Sequence, residues 1–241
     1  ASTLRTTSPG PGLGSSTSLR ARGAPSFSCT QAFIGLVYAI LGAVTERNLA
    51  RFYQVAQEIW SQPPPSARFR PLEDGKLLAR HAALMETWTE ELVQGFYDTL
   101  FGHPATRRVF REGERPAREK TLRDWYLRTL RGPFNGQYFA WQALVGLVHV
   151  RRGVTNAMMA SMWNWLTEKV AEKARQALSP EEAQALVDAW RRLAFTVMAL
   201  IAEEYLEAYL EALALAQGED PRAFMEKAQE MAGALLAQLS P

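Results

Sequence analysis

A chain of 241 residues, 47% of them hydrophobic, can bury one good-sized core and carry appendages, but is short for two large domains. Its 27 Lys and Arg against 25 Asp and Glu leave a formal charge of +2, with the cations scattered among carboxylates, so no electrostatic footprint of a nucleic-acid partner is present. The single cysteine, Cys29, excludes an intrachain disulfide and a thiolate zinc site, and fits a reducing, cytoplasmic setting.

Residues 1–28 are rich in Ser, Thr, Gly, Pro and Arg without aliphatic periodicity, and read as a disordered tail that cannot offset its ordering entropy. Residues 29–66 form an N-terminal extension. In it the apolar run Ala32–Val44 (AFIGLVYAILGAV) is shorter than the roughly 20 residues a membrane span needs. It is preceded by Arg20 and Arg22 but by no convincing small-x-small cleavage site, and is read as a short buried or interfacial helix in preference to a targeting signal. Leu49, Phe52, Tyr53, Ala56 and Trp60 then make a helical stripe that the run Pro63-Pro64-Pro65 must end.

From there the apolar residues recur at three- and four-residue spacing, with no alternating strand pattern to compete. One helix is expected from about Gly75 to Phe101, with Leu77, Leu78, Leu84, Trp88, Leu92, Phe96 and Leu100 on its apolar side and Gly102 closing it. Pro104 suits the first turn of a short helix containing Val109 and Phe110, which the polar loop Arg111–Arg115 separates from a helix Pro116–Leu130. Asn135-Gly136 opens the helix that holds His149 and Gly153 ends it; another spans about Asn156 to Leu178. Ser179-Pro180-Glu181-Glu182 is a capping box starting a helix to Gln217, with Leu186, Trp190, Leu193, Val197, Leu200, Ile201 and Leu206 inward. Residues 67–218 thus read as one all-α domain and 219–241 as a C-terminal amphipathic helix, seven or eight helices in all.

His149 is the unusual residue. Its helix face holds Gly146, Val145, Gln142, Trp141 and Tyr138, an apolar and aromatic stripe with a side-chain-free notch one turn away, against which a flat hydrophobic ligand could lie. On spacing alone, a histidine hydrogen-bonded into the core is the simpler explanation, since a lone histidine is a weak motif. Three widely spaced histidines, His81, His103 and His149, make an all-protein zinc or di-iron site unlike anything this sequence offers, and no nucleophile elbow or phosphate loop is present. His81 is assigned to the surface and His103 to a helix start. A single axial histidine to a large cofactor remains open.

Three patches, GFYDTLFGHPATRRVF at Gly95–Phe110, LRDWYLRTLRGPFNGQYFAWQALVGLVHVRRGV at Leu122–Val154 and the long helix entered at Ser179, resemble the globin domain of protoglobins and globin-coupled sensors. The resemblance covers about Gly75 to Gln217, and its most specific part is Trp125, Tyr138, Trp141 and the G-x-x-H-x-R-x-G run at Gly146–Gly153. It implies a globin fold of the protoglobin type, with an extra N-terminal helix and a C-terminal helix, binding haem b. His149 falls at the family's proximal iron ligand, Tyr97 at its distal tyrosine with Phe96 beside it, and Leu122 at a distal-lining position. A phenol there can donate to a gas that gains partial negative charge on binding, favouring O2 over CO; an ordinary core tyrosine bonded to a carbonyl is the alternative. Trp125, Val145, Met158 and Met162 are the candidates for other pocket walls, and Arg151 and Arg152 for the haem propionates. The His149 Nδ1–H is expected to find an acceptor such as the carbonyl of Val145.

The implied function is reversible binding of O2, CO and NO as a stand-alone carrier or sensor, with a haem-free interaction domain or a haem enzyme of NO dioxygenase or peroxidase type as alternatives. The segment between the Tyr97 and Trp125 helices lacks the long insertions of some relatives. Any transmitter is expected on a separate chain. The last two globin helices are long enough to pair in a homodimer, or their surplus residues Leu206, Tyr209, Leu210 and Leu213 pack on the helix at Phe224–Leu236.

Overall fold

Proline and glycine punctuation in the sequence becomes a set of helix boundaries in the computed structural model, which describes residues 46–239. The expected tail 1–28, Cys29 and the apolar run Ala32–Val44 lie outside the described residues. Among the described residues there are nine helices and no strand: α1 (Glu46–Ser61), α2 (Asp74–Glu86), α3 (Thr89–Gly102), α4 (Pro104–Arg107), α5 (Arg115–Arg131), α6 (Gly136–Arg152), α7 (Asn156–Ala177), α8 (Pro180–Gln217) and α9 (Pro221–Leu239). None of the described helices is long and apolar enough to cross a membrane.

Local chemistry sets the ends. Asn135 Oδ1 accepts the Tyr138 N–H at 3.1 Å and Thr155 Oγ1 the Met158 N–H at 3.2 Å, opening α6 and α7. At Ser179 the hydroxyl donates to Glu182 Oε2 at 2.8 Å and also accepts the Glu182 N–H at 3.4 Å, so the expected capping box forms. Gly153, at φ +69°, ends α6 in a Schellman turn in which the Val154 N–H returns to the His149 carbonyl at 3.1 Å.

Several expectations need correction. The single helix from Gly75 to Phe101 is two, broken at Thr87-Trp88, where the Thr87 and Thr89 hydroxyls donate to the Leu84 and Glu86 carbonyls at 2.6 and 2.7 Å. The apolar stripe runs on through the break, which is why periodicity alone does not reveal it. The helix at Pro104 is only four residues long, and Val109 and Phe110 follow it in a turn. His81 is buried, not on the surface, because it shares a face with Leu78 and Met85, both 0% exposed.

The core forms around α8. This helix buries Leu186, Trp190, Leu193, Val197, Leu200 and Ile201, and α6, α7 and α2 pack along it. Phe52, Ala140, Ala143 and Leu144 join α1 to the outer side of α6. A further cluster, Val93, Tyr97, Leu100 and Met162, lies apart from the main core where α3 meets α7. At about 1.5 Å per residue, the 38 residues of α8 extend some 57 Å, beyond the domain they organise. Leu206, expected to point inward, is accordingly 53% exposed, and Tyr209 and Leu213 remain exposed although α9 packs on α8.

Candidate functional site

A cavity of about 340 Å³ separates the main core from the cluster around Tyr97. Helical spacing selects its walls. On α6 the lining residues are Trp141, Val145, Val148, His149 and Arg152, one stripe with steps of three and four residues. From α5 come Arg118, Leu122, Trp125 and Arg128, again one stripe; α3 contributes Phe96, Tyr97 and Leu100. The floor is Met158, Met159, Met162 and Trp163 of α7 with Ile201 of α8. All eight residues singled out in the sequence, His149, Tyr97, Phe96, Leu122, Trp125, Val145, Met158 and Met162, therefore meet around one space.

His149 faces this space from the last turns of α6. Burial first, and the positive charge of Arg152 second, pull its imidazole down to about 4, so the ring is neutral at pH 7. Nδ1 is buried and has no hydrogen-bond partner; the Val145 carbonyl, expected to accept from it, does not. No group of three His, Cys, Asp or Glu that could hold a metal ion occurs among the described residues, so His149 stands as a single neutral nitrogen donor.

The notch expected at Gly146 is not part of the cavity. A Cβ there would come within 2.7 Å of the Ile201 carbonyl oxygen and 3.0 Å of Glu204 Cβ, so the missing side chain lets α6 and α8 approach each other. Tyr138 and Gln142 are buried and do not line the cavity either; their side chains bond to Thr129 and Trp125 of α5. The cavity face of α6 is rotated from the expected one, toward Val148 and Arg152.

In the wall formed by α3, Tyr97 is 6% exposed and packs edge-on to Phe96 and Phe110. Burial pushes its phenol well above the usual range, and the hydroxyl donates to the Arg118 carbonyl at 2.9 Å. Trp125 is fixed by its indole N–H, which donates to Gln142 Oε1 at 3.2 Å, bridging α5 and α6. Arg128 lies 4.1 Å above the Trp141 ring and makes a second bridge.

The polar end of the cavity holds Arg118 and Arg152, both bonded to Glu114. Arg118 Nε and Nη2 donate to Oε1 at 2.9 and 2.6 Å, and Arg152 Nη2 donates to Oε2 at 2.6 Å. Burial by itself would raise the Glu114 carboxyl, but bonds from Arg152, the Arg111 N–H and Arg118 outweigh it and hold the group at about 2. Arg151, by contrast, is exposed, and His103 sits at the start of α4 as expected.

Sequence reasoning missed Val148, Phe110, Ile201 and above all Arg118. Val148 was findable, since it shares the stripe of Trp141, Val145 and Arg152. For Arg118 the only signal was the i, i+4 spacing from Glu114, which usually marks a solvated helix surface.

No curated protein matches the chain. A family pattern does match: the protoglobin model covers residues 71–211, more than half of the chain, and the chain therefore belongs to the protoglobin family, with its all-α globin fold.

Proposed function

We propose that the protein is a haem-binding globin that takes O2, and with it CO and NO, reversibly, as a carrier or sensor. The observation that carries this reading is a neutral imidazole, with one buried ring nitrogen lacking any partner, set in a cavity whose walls are otherwise mainly apolar and aromatic. That donor set fits a haem b: an iron porphyrin needs one neutral nitrogen, a flat apolar slot and cations for its two carboxylates. When bound, haem supplies the iron at which a diatomic gas binds reversibly.

The remaining work falls to the chain. His149 would hold the iron and, being neutral to about pH 4, would need to lose no proton to do so. Phe96, Leu122, Trp125, Val145, Met158 and Met162 exclude water from the slot. Arg152, Arg118 and Arg128 offer positive charge to the propionates. Tyr97 supplies one hydrogen-bond donor to the gas.

The Arg118 carbonyl changes the size of that last effect. A bond to a partly charged acceptor contributes about 1.5–3 kcal/mol, but the phenol must first leave a neutral bond of about 1 kcal/mol. The preference for O2 over CO that Tyr97 confers is therefore nearer tenfold than a hundredfold. In the same reading residues 67–218 are the haem-binding unit, and two copies pair through α7 and α8, a pairing supported by Leu206, Tyr209 and Leu213 staying exposed.

The test is an absorption spectrum after hemin titration, for wild type beside His149→Ala. Wild type is expected to take one equivalent with a Soret band, and the variant to lose the haem or shift its ferrous spectrum. An unchanged spectrum in His149→Ala would show that another ligand holds the iron; no band in wild type would leave a haem-free interaction domain.

A further inference from the structure

The Tyr97 hydroxyl is linked to the end of α6 through Arg118, which is bonded at its carbonyl on one side and at its guanidinium on the other. It donates to the Arg118 carbonyl at 2.9 Å, in the first turn of α5. That turn is gripped by its own side chains, with both Arg118 nitrogens on Glu114 Oε1. The second Glu114 oxygen accepts from Arg152 at 2.6 Å, and Arg152 lies on α6 three residues beyond His149. Arg152 also donates to the Val109 carbonyl at 3.2 Å, pinning the loop that precedes α5. The side chains of Arg118, Glu114 and Arg152 are only 8, 11 and 19% exposed, so water screens these bonds weakly.

We propose that Glu114 is a positioning residue: by holding α5 to the end of α6, it sets how firmly the Arg118 carbonyl retains the Tyr97 hydroxyl, and so couples the helix bearing His149 to the donor in the cavity. This rests on the haem-globin reading. The physical basis is a mismatch in stiffness. The phenol has one proton and two competing destinations, each a hydrogen bond of small net worth, so a shift of the acceptor by a few tenths of an ångström changes the balance. The Glu114 bonds are charge-assisted and stronger, so they move as a unit. A displacement at the end of α6 is passed through Arg152 and Glu114 to the carbonyl, and the phenol responds.

Two readouts test this on the full-length chain. In hemin-free protein labelled with ¹³Cζ-tyrosine, the Tyr97 resonance, identified by its loss in Tyr97→Phe, should shift in Glu114→Gln and again in Arg152→Gln, while Arg152→Lys, which keeps the cation, shifts it less. In hemin-loaded protein under CO, the share of the C–O stretching band from donor-facing molecules should rise about threefold to tenfold in Glu114→Gln, the range of one neutral hydrogen bond. In a Tyr97→Phe background the same substitution should change nothing, because Glu114 acts through the phenol. A Tyr97 resonance unmoved by both Glu114→Gln and Arg152→Gln overturns the coupling, even if Tyr97→Phe still moves the C–O band and the haem reading stands. So does an effect of Glu114→Gln that persists without Tyr97. If hemin fails to bind, the haem reading falls and the tyrosine resonance alone decides the coupling; if Glu114→Gln fails to fold, Arg152→Gln decides it.

Discussion

Two carboxylates in this molecule are each gripped by two arginines, one at the start of α2 and one at the start of α5. Asp74, 2% exposed at the start of α2, accepts from Arg192 of α8 at 2.6 and 2.9 Å, and from the Arg70 side chain and N–H. Glu114 accepts from Arg118 and Arg152 at 2.6 to 2.9 Å. The chemistry is the same, yet the surroundings differ. The Asp74 clamp fastens α2 to α8 beside Phe69, whose N–H donates to Thr196 of α8 at 3.1 Å, and none of its residues lines the cavity. At Glu114 both guanidiniums do line it. An arginine–carboxylate–arginine cluster is thus a scaffold bolt or part of a site according to what lies against its outer face.

The largest effect should come from breaking the bolt. Asp74→Ala strands two guanidiniums that are partly shielded, and should lower the unfolding free energy by about 3 kcal/mol in urea titration, with hemin stoichiometry of the folded fraction unchanged. Glu114→Ala should cost less, about 2 kcal/mol in the same assay, because Glu114 accepts four hydrogen bonds against the five of Asp74 and is the less buried carboxylate, 11% against 2% exposed. A loss at Glu114 equal to or larger than that at Asp74 would remove the distinction.

Acid should separate the two kinds of group further. Glu114 is held at about 2 against an ordinary 4.5, so its contribution is complete above about 4.5 and is lost as pH falls toward 2. His149 is held at about 4 against 6.5; the unfolded chain takes up the proton first, so hemin-free protein loses stability as pH falls from 6.5 toward 4. Urea midpoints across this range should flatten in the upper segment for His149→Phe and in the lower segment for Glu114→Gln. Identical profiles for the two variants would contradict both assignments. The smallest effect is expected at the exposed pair of Arg123 and Glu90, bonded at 2.6 Å: Arg123→Ala should change stability by under about 1 kcal/mol, since solvent screens such pairs.

Much of this architecture was readable from residues alone, for a physical reason. Asn135, Thr155, Ser179, Gly153 and Gly218 act through bonds or backbone angles within a few residues of themselves, so their helix ends follow from local sequence. Trp141, Val145 and His149 share a stripe because 3.6 residues make a turn, whatever lies outside the helix. The break at Thr87 was not readable, because the hydroxyls that close one helix and open the next leave the apolar pattern continuous.

What the chain order determined, then, is an all-α protein with a histidine on an aromatic helix face and a tyrosine three helices before it. Only the assembled structure decided that Gly146 serves the crossing with α8, that α6 turns Val148 and Arg152 toward the cavity, and that Glu114, already bonded to Arg118, meets Arg152 across 38 positions of sequence. Helical periodicity fixes the angles between side chains on one helix; which of those angles looks toward a neighbour is set by packing between helices far apart in the chain.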